Sequence, residues 1–130
     1  KGLQTVEDAK LAISVGASAV IISNHGGRQL DGGSATIDLL PGIVDAVEGK
    51  IEVIIDGGFR RGSHIVKAMA LGASACMTGR PYLYALSAFG EKGVARALDL
   101  LKSETLRTMA LTGCASIDKL DRSYIRSLDQ

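Results

Sequence analysis

The stretch VGASAVIIS at residues 15–23 decides the fold, because it returns in altered form as LGASACMTG at residues 71–79. In both copies a glycine ends a helical pattern, small residues turn the chain, and a short apolar run follows. An uninterrupted apolar run of this length is typical of a strand buried on both faces of a parallel sheet. The copies start 56 residues apart, which is close to two strand–helix units of about 30 residues each. The repeat therefore predicts parallel strands that alternate with helices.

The rest of the chain fits the same alternation. The sequence predicts three strands, at residues 19–23, 51–56 and 75–79. It predicts four helices, at residues 5–16, 36–48, 63–72 and about 91–111. Elements in this order indicate an α/β fold with right-handed crossovers, either part of a (β/α)8 barrel or a doubly wound open sheet.

Several helix ends carry a local signal. Thr5 and Asp8 fit a variant of the capping box, and Gly16 fits a helix stop. Ser63 is expected to cap the third helix, and Pro81 suits the first turn of a helix.

The bulk composition limits the classes of function. A complete (β/α)8 barrel needs about 250 residues, so we expect the 130 residues to form one partial domain, 1–130, the C-terminal half of such a barrel. A net charge of +1 and the absence of tryptophan give no indication of a nucleic-acid-binding protein. No apolar run has the length of a membrane span. Cys76 and Cys114 form no metal-binding pattern, and plain reduced thiols indicate an intracellular protein.

The loop after the first strand suits a reaction centre. It reads SNHGGR at residues 23–28. The imidazole of His25 can move a proton near neutral pH, and the planar guanidinium of Arg28 can clamp a substrate carboxylate. The alternative is structural: His25 caps a turn and Arg28 faces water.

The loops after the second and third strands suit an anion. They read DGGFRR at residues 56–61 and TGRP at residues 78–81. Glycines let backbone N–H groups approach a phosphate, and arginine matches its oxygens. In (β/α)8 barrels the loops after the last two strands often bind phosphate. That rule would place the group at Gly58, Arg60, Gly79 and Arg80, whereas the alternative is ordinary turns with solvated arginines.

Three motifs together resemble one family. SNHGGRQLD (23–31), DGGFRRG (56–62) and ALGASACMTGRP (70–81) are similar in order and spacing to the FMN-dependent α-hydroxy-acid oxidases and dehydrogenases, such as glycolate oxidase, lactate oxidase and mandelate dehydrogenase. The resemblance runs from Lys1 to about Ile125 and corresponds to the C-terminal half of the family's catalytic TIM barrel. It implies FMN as cofactor and oxidation of an L-2-hydroxy acid to the 2-oxo acid.

The resemblance also implies a role for each matching residue. Lys1 matches the lysine at the flavin N1/O2 edge, and Ser23 matches a residue that hydrogen-bonds the flavin ring. His25 matches the catalytic base, and Arg28 matches the arginine that binds the substrate carboxylate. The remaining FMN contacts, to the phosphate and ribityl chain, fall on Asp56, Gly57, Gly58, Phe59, Arg60, Gly79 and Arg80. No metal is implied.

Other expectations concern the whole protein. The family's first four strands are absent from the sequence, so we expect the full-length parent, and not this fragment alone, to be the enzyme. The electron acceptor stays open between oxygen, a quinone and a cytochrome. Family resemblance implies a homo-oligomer, commonly a tetramer, in the cytoplasm or peroxisome. Peripheral membrane association also stays open, because the family's membrane-binding insertion precedes this region where it is present.

An alternative function is a phosphate- or nucleotide-binding half-barrel that resembles inosine monophosphate dehydrogenase. That chemistry needs a catalytic cysteine in a loop. Cys76 lies within a predicted strand and Cys114 lies beyond the last predicted helix, so neither position suits it.

Overall fold

The computed structural model describes residues 1–126. Its strands are β1 (Ala19–Ile22), β2 (Glu52–Asp56) and β3 (Ala75–Met77). Its helices are α1 (Val6–Ser14), α2 (Thr36–Val47), α3 (Gly62–Ala70) and α4 (Arg80–Leu111). Short 3-10 turns follow at His25–Gly27, Ile117–Lys119 and Arg122–Tyr124. The predicted alternation of strands and helices is confirmed.

The three strands form one parallel sheet in the order β1-β2-β3. Val20 pairs with Val53, and Ile55 pairs with Cys76. A parallel bridge between Leu3 and Ile22 lays the start of the chain beside β1. Because all strands run the same way, their carboxyl ends and the segment around Leu3 reach one edge of the sheet.

The main core lies between the sheet and helices α1 and α2. Ile22, Leu40 and Ile55 are completely buried there, and Ile43 is nearly so. Burying a side chain of this size stabilises the fold by about 1.5–3 kcal/mol. A smaller cluster joins α3, α4 and the tail through Val66, Ala70, Met109, Cys114 and Leu120. The packed helices thus hold the strands, and the loops after them, in fixed register.

The ends of the first helix match their sequence signals. The Oγ1 atom of Thr5 accepts a hydrogen bond from the backbone N–H of Asp8 at 3.1 Å. Gly16 has a φ of +85° just past the end of α1, a conformation that suits glycine.

The predicted cap of the third helix is wrong. Helix α3 begins at Gly62, so Ser63 lies inside the helix and Arg61 is the N-cap residue without a side-chain cap. The backbone N–H of Gly62 is instead satisfied from another helix, by Glu104 Oε2 at 2.8 Å. A partner distant in sequence therefore sets where this helix starts.

Helix α4 starts earlier than the apolar pattern predicts. It begins at Arg80, with Pro81 in its first turn as expected, and it is broken at Phe89 and Gly90. Gly90 has a φ of +60°, which glycine adopts without strain. The strand β3 is consequently followed by a short helical segment (80–88) and a long one (91–111).

Candidate active site

An open cleft lies at the carboxyl ends of the strands. Its volume is about 450 Å³, and all of the predicted site residues except Ser23 line it. Ser23 is completely buried beside the cleft and is hydrogen-bonded to three lining residues, Lys1, His25 and Asp56. The predicted convergence of the three loops and Lys1 is therefore seen in the structure, as the parallel strand arrangement requires.

A hydrogen-bonded network ties the start of the chain to the first two strand ends. The ammonium of Lys1 donates to Ser23 Oγ at 2.9 Å and pairs with Asp56 Oδ2 at 2.7 Å. The hydroxyl of Ser23 donates to the same carboxylate oxygen at 2.7 Å. Desolvation opposes the charge on Asp56, but hydrogen bonds from Lys1 and Ser23, with the Lys1 charge, outweigh it and lower the pKa of Asp56. Asp56 thus remains an anion that holds Lys1.

The His25 loop has a constrained backbone. The N–H of His25 donates to Ser23 Oγ at 3.2 Å, and Asn24 Oδ1 accepts the N–H of Gly26 at 3.0 Å. His25 itself has a φ of +54°, which costs a non-glycine residue about 1–2 kcal/mol. Gly2 leaves room for the ring, because a Cβ there would lie 2.7 Å from His25 Cε1.

Arg28 follows His25 within one turn, and both residues line the cleft. The backbone N–H of Arg28 donates to the carbonyl of His25 at 3.5 Å, closing the 3-10 turn. Both side chains are exposed. A proton acceptor and a carboxylate-binding cation are therefore available side by side to a small acid in the cleft.

The loop at residues 57–61 and the start of α4 offer an anion such as phosphate open space beside the backbone and an uncapped helix N-terminus. Gly58 has a φ of +83°, and neither Gly58 nor Gly79 faces any atom within 4 Å of an added Cβ. Helix α4 starts at this point without a side-chain cap, so the positive end of its dipole is open to an anion. Pro81 has no N–H, and the N–H groups of Tyr82 and Leu83 donate to the carbonyl of Gly79. Arg60 and Arg80 line the cleft beside it.

The charge balance of the cleft supports the same ligand. Within residues 1–126, four cationic side chains line it, from Lys1, Arg28, Arg60 and Arg80, against the one carboxylate of Asp56, which is paired with Lys1. Backbone room at the glycines and this excess of positive charge fit the phosphate end of FMN.

Several residues that hold the site were not found from the sequence. Thr78 donates to the carbonyl of Phe59 at 3.0 Å, and Thr36, almost fully buried, donates to the carbonyl of Gly57 at 3.4 Å. His64 is half-buried, and its Nδ1 accepts the N–H of Arg60 at 3.4 Å. No short motif marks such tethers, because their partners lie far apart in sequence or on the backbone.

One arginine of the pair at the second strand end does not reach the cleft. Arg61 follows Arg60 in the same loop, but its Nε pairs with Glu104 on α4 at 3.2 Å. The two neighbouring arginines therefore have different partners, and only Arg60 lines the cleft.

Fold and cleft together define a class: a parallel α/β protein with a cationic, glycine-lined cleft at its strand ends. The sequence model of the FMN-dependent dehydrogenases matches residues 1–127. The chain belongs to the FMN-dependent dehydrogenase family, as the motifs indicated.

The relatives carry consistent names. The chain is 50% identical over 127 residues to "Peroxisomal (S)-2-hydroxyacid oxidase GLO3" of Arabidopsis thaliana, covering 98% of the chain and 35% of the relative. It is 49% identical over 126 residues to "2-Hydroxyacid oxidase 1" of Homo sapiens, covering 97% and 34%. The chain thus spans about a third of the length of the curated relatives it matches.

Solved structures show the same fold. An oxidised active mutant of (S)-mandelate dehydrogenase matches with a TM-score of 0.93 at 49% identity, over 96% of this chain and 35% of that one. A mandelate oxidase variant with a monooxide FMN adduct matches with a TM-score of 0.89 at 49% identity, over 93% and 38%. The expected fold, part of a TIM barrel with parallel strands alternating with helices, is confirmed. FMN is the cofactor that the family and the adduct-bearing neighbour indicate.

Within residues 1–126, no helix is both long enough and apolar enough to cross a membrane.

Proposed function

We propose that the protein oxidises an L-2-hydroxy acid to the corresponding 2-oxo acid, with FMN bound in the cleft. One observation carries the proposal: His25 and Arg28 line the same cleft as Lys1 and the glycine-rich loop at residues 57–61. The names of the relatives, which are hydroxy-acid oxidases, support it.

The cleft has two ends, which suit the two ends of the cofactor. Gly58, Arg60, Gly79 and Arg80 would hold the phosphate, with Asp56, Gly57 and Phe59 in the same loop near the ribityl chain. Lys1 and Ser23 would meet the flavin ring, where the Lys1 ammonium would stabilise negative charge. Bound FMN supplies the two-electron acceptor that the amino-acid side chains lack.

His25 and Arg28 would act on the substrate. The guanidinium of Arg28 binds the carboxylate and fixes which face of the acid meets the imidazole. The imidazole of His25 then takes a proton, either from the α-carbon or from the hydroxyl group. Its backbone N–H donates to Ser23 Oγ, so the main chain of His25 is held next to the residue that would meet the flavin.

The nucleotide-dehydrogenase alternative loses support from the structure. Burial raises the pKa of Cys76 to about 12, so its thiol stays protonated and unreactive at neutral pH. Cys114 is buried in the cluster between α3, α4 and the tail. Neither cysteine lines the cleft.

The first part of the test is direct. We expect the purified full-length protein to show flavin absorption and to release FMN on acid precipitation, and anaerobic addition of lactate, glycolate or mandelate should bleach it. A colourless protein that takes up no added FMN would exclude the proposal.

Two variants then separate the roles within the site. His25→Gln should keep FMN bound and lower kcat by roughly 10² or more, because the proton acceptor is lost. Arg28→Lys should raise KM for the hydroxy acid far more than it changes FMN affinity, because the bidentate grip is lost. Near-normal turnover in the first variant would remove His25 from the role of base, and equal loss of FMN and substrate in the second would make Arg28 structural.

The remaining expectations concern the whole protein. We infer a homo-oligomer in the cytoplasm or peroxisome. One relative is described as peroxisomal. The electron acceptor stays open between oxygen, a quinone and a cytochrome.

A further inference from the structure

We propose that Glu104, which lies outside the cleft on helix α4, is a positioning residue for the FMN phosphate. It caps the start of α3 and thereby fixes Arg60, the last cleft-lining residue of the phosphate loop. The proposal rests on the proposed function, since it assumes that FMN binds in the cleft.

The hydrogen-bond geometry shows what Glu104 holds. Its Oε2 accepts the N–H of Gly62 at 2.8 Å and pairs with Arg61 Nε at 3.2 Å. Gly62 is buried, and the N-cap residue Arg61 supplies no side-chain cap of its own. A buried N–H left without a partner is unfavourable, because it loses its hydrogen bond to water and gains none in the protein. The start of α3 therefore depends on a carboxylate from another helix.

The packing fixes this contact closely. A Cβ added to Gly62 would lie 2.2 Å from the backbone nitrogen of Thr105 and 2.4 Å from the carbonyl carbon of Glu104. Thr105 is itself buried and donates to the carbonyl of Leu101 at 2.8 Å. The α3 start thus lies directly on the α4 backbone, and the Glu104 carboxylate has little freedom to move away from it.

The consequence for the phosphate is electrostatic. The N-terminus of α3 would otherwise attract an anion, but the carboxylate of Glu104 already occupies it. Its charge also holds Arg61 away from the cleft, while Arg60 lines it. Glu104 thereby leaves Arg60 and the N-terminus of α4 as the binding groups for the phosphate.

Riboflavin, which lacks the phosphate, separates a positioning role from a merely structural one. We would titrate the flavin-free full-length protein, wild type and variants, with FMN and with riboflavin and compare the dissociation constants of the two flavins. Glu104→Ala should weaken FMN binding roughly tenfold and leave riboflavin binding almost unchanged. Glu104→Gln should restore most of the FMN affinity, because its amide oxygen can still accept the Gly62 N–H.

A matched control removes the ion pair alone. Arg61→Ala should keep FMN affinity near the wild-type value, since the cap on Gly62 remains. Should Glu104→Ala fail to fold, Glu104→Asp withdraws the carboxylate by one methylene, and the same selective loss of FMN affinity is expected.

Three results would overturn the proposal: unchanged FMN affinity, tighter FMN binding, or equal weakening of FMN and riboflavin binding, each measured in Glu104→Ala or in its substitute Glu104→Asp. If the wild-type protein binds no FMN, the proposed function fails and this inference fails with it. A wild-type protein that binds FMN, with variants that lose no FMN selectivity, overturns this inference alone.

Discussion

Ser23 is the residue on which the hydrogen bonds of the cleft converge. Its buried hydroxyl accepts from the Lys1 ammonium and from the N–H of His25, and it donates to Asp56. Lys1 and the His25 loop are therefore both hydrogen-bonded to a single oxygen atom. A shift of any one of these groups would disturb the other two.

Asp56 gives this network a pH dependence. Its pKa is lowered from the ordinary value of 3.8, because hydrogen bonds from Lys1 and Ser23 outweigh the desolvation that opposes ionisation. A carboxylate whose pKa is lower in the folded state contributes stability above its unfolded pKa, and this contribution is lost as the pH falls through the folded pKa.

We predict that Asp56→Asn lowers the free energy of unfolding by about 1–3 kcal/mol at neutral pH. The difference from the wild-type protein should shrink as the pH falls below 3.8. Urea unfolding at a series of pH values measures it. Asp99→Asn, an exposed carboxylate on α4, is the control and should change stability by less than about 0.5 kcal/mol. A difference that stays constant down to acid pH would contradict this account.

The residues of the site could be predicted where they stand next to one another in a strand-end loop. His25, Arg28, Arg60 and Arg80 each follow a strand directly, so the topology alone brings them to one edge. Glu104 could not be predicted, because it is 42 residues from the N–H that it accepts and resembles any helix-surface carboxylate. The same holds for Arg61, whose partner depends on how α3 meets α4.

At the scale of elements, the contact between α3 and α4 links helix α4 to the loop at residues 57–61. The strands and the first three helices could be predicted from apolar periodicity and helix-end signals. The short segment at 80–88 could not, because Leu83, Tyr84 and Leu86 are exposed and give no one-sided apolar pattern. Only Pro81 marked it in the sequence.

We predict that Gly62→Ala destabilises the protein by about 1–3 kcal/mol, because the added methyl group overlaps the α4 backbone and pushes the two helices apart. Gly42→Ala is the matched control on α2. Its added Cβ would meet Val6 Cγ2 at an ordinary 3.8 Å, so the gain in helix propensity should stabilise the protein by up to about 1 kcal/mol. Thermal and urea unfolding of both variants measure the effect. Equal stability of the two variants would show that the contact between α3 and α4 is looser than described.

At the scale of the whole molecule, apolar surface is exposed on one side of the sheet. Strand β3 is the last in the sheet order, and its Met77 is 39% exposed. Beside it in sequence, the first part of α4 exposes a row of large apolar side chains, Leu83, Tyr84, Leu86 and Phe89. An unpaired strand edge next to such a surface favours association with another chain.

We therefore predict that the 130-residue chain, expressed alone, self-associates at micromolar concentrations. Sedimentation velocity over a concentration series would measure the association. Met77→Lys places a charge on the β3 edge and should shift the chain toward monomer. Leu11→Lys removes an apolar side chain of similar size that is 62% exposed on α1, and it should leave the association unchanged. If the two substitutions act equally, general surface hydrophobicity, and not the open edge of the sheet, causes the chains to associate.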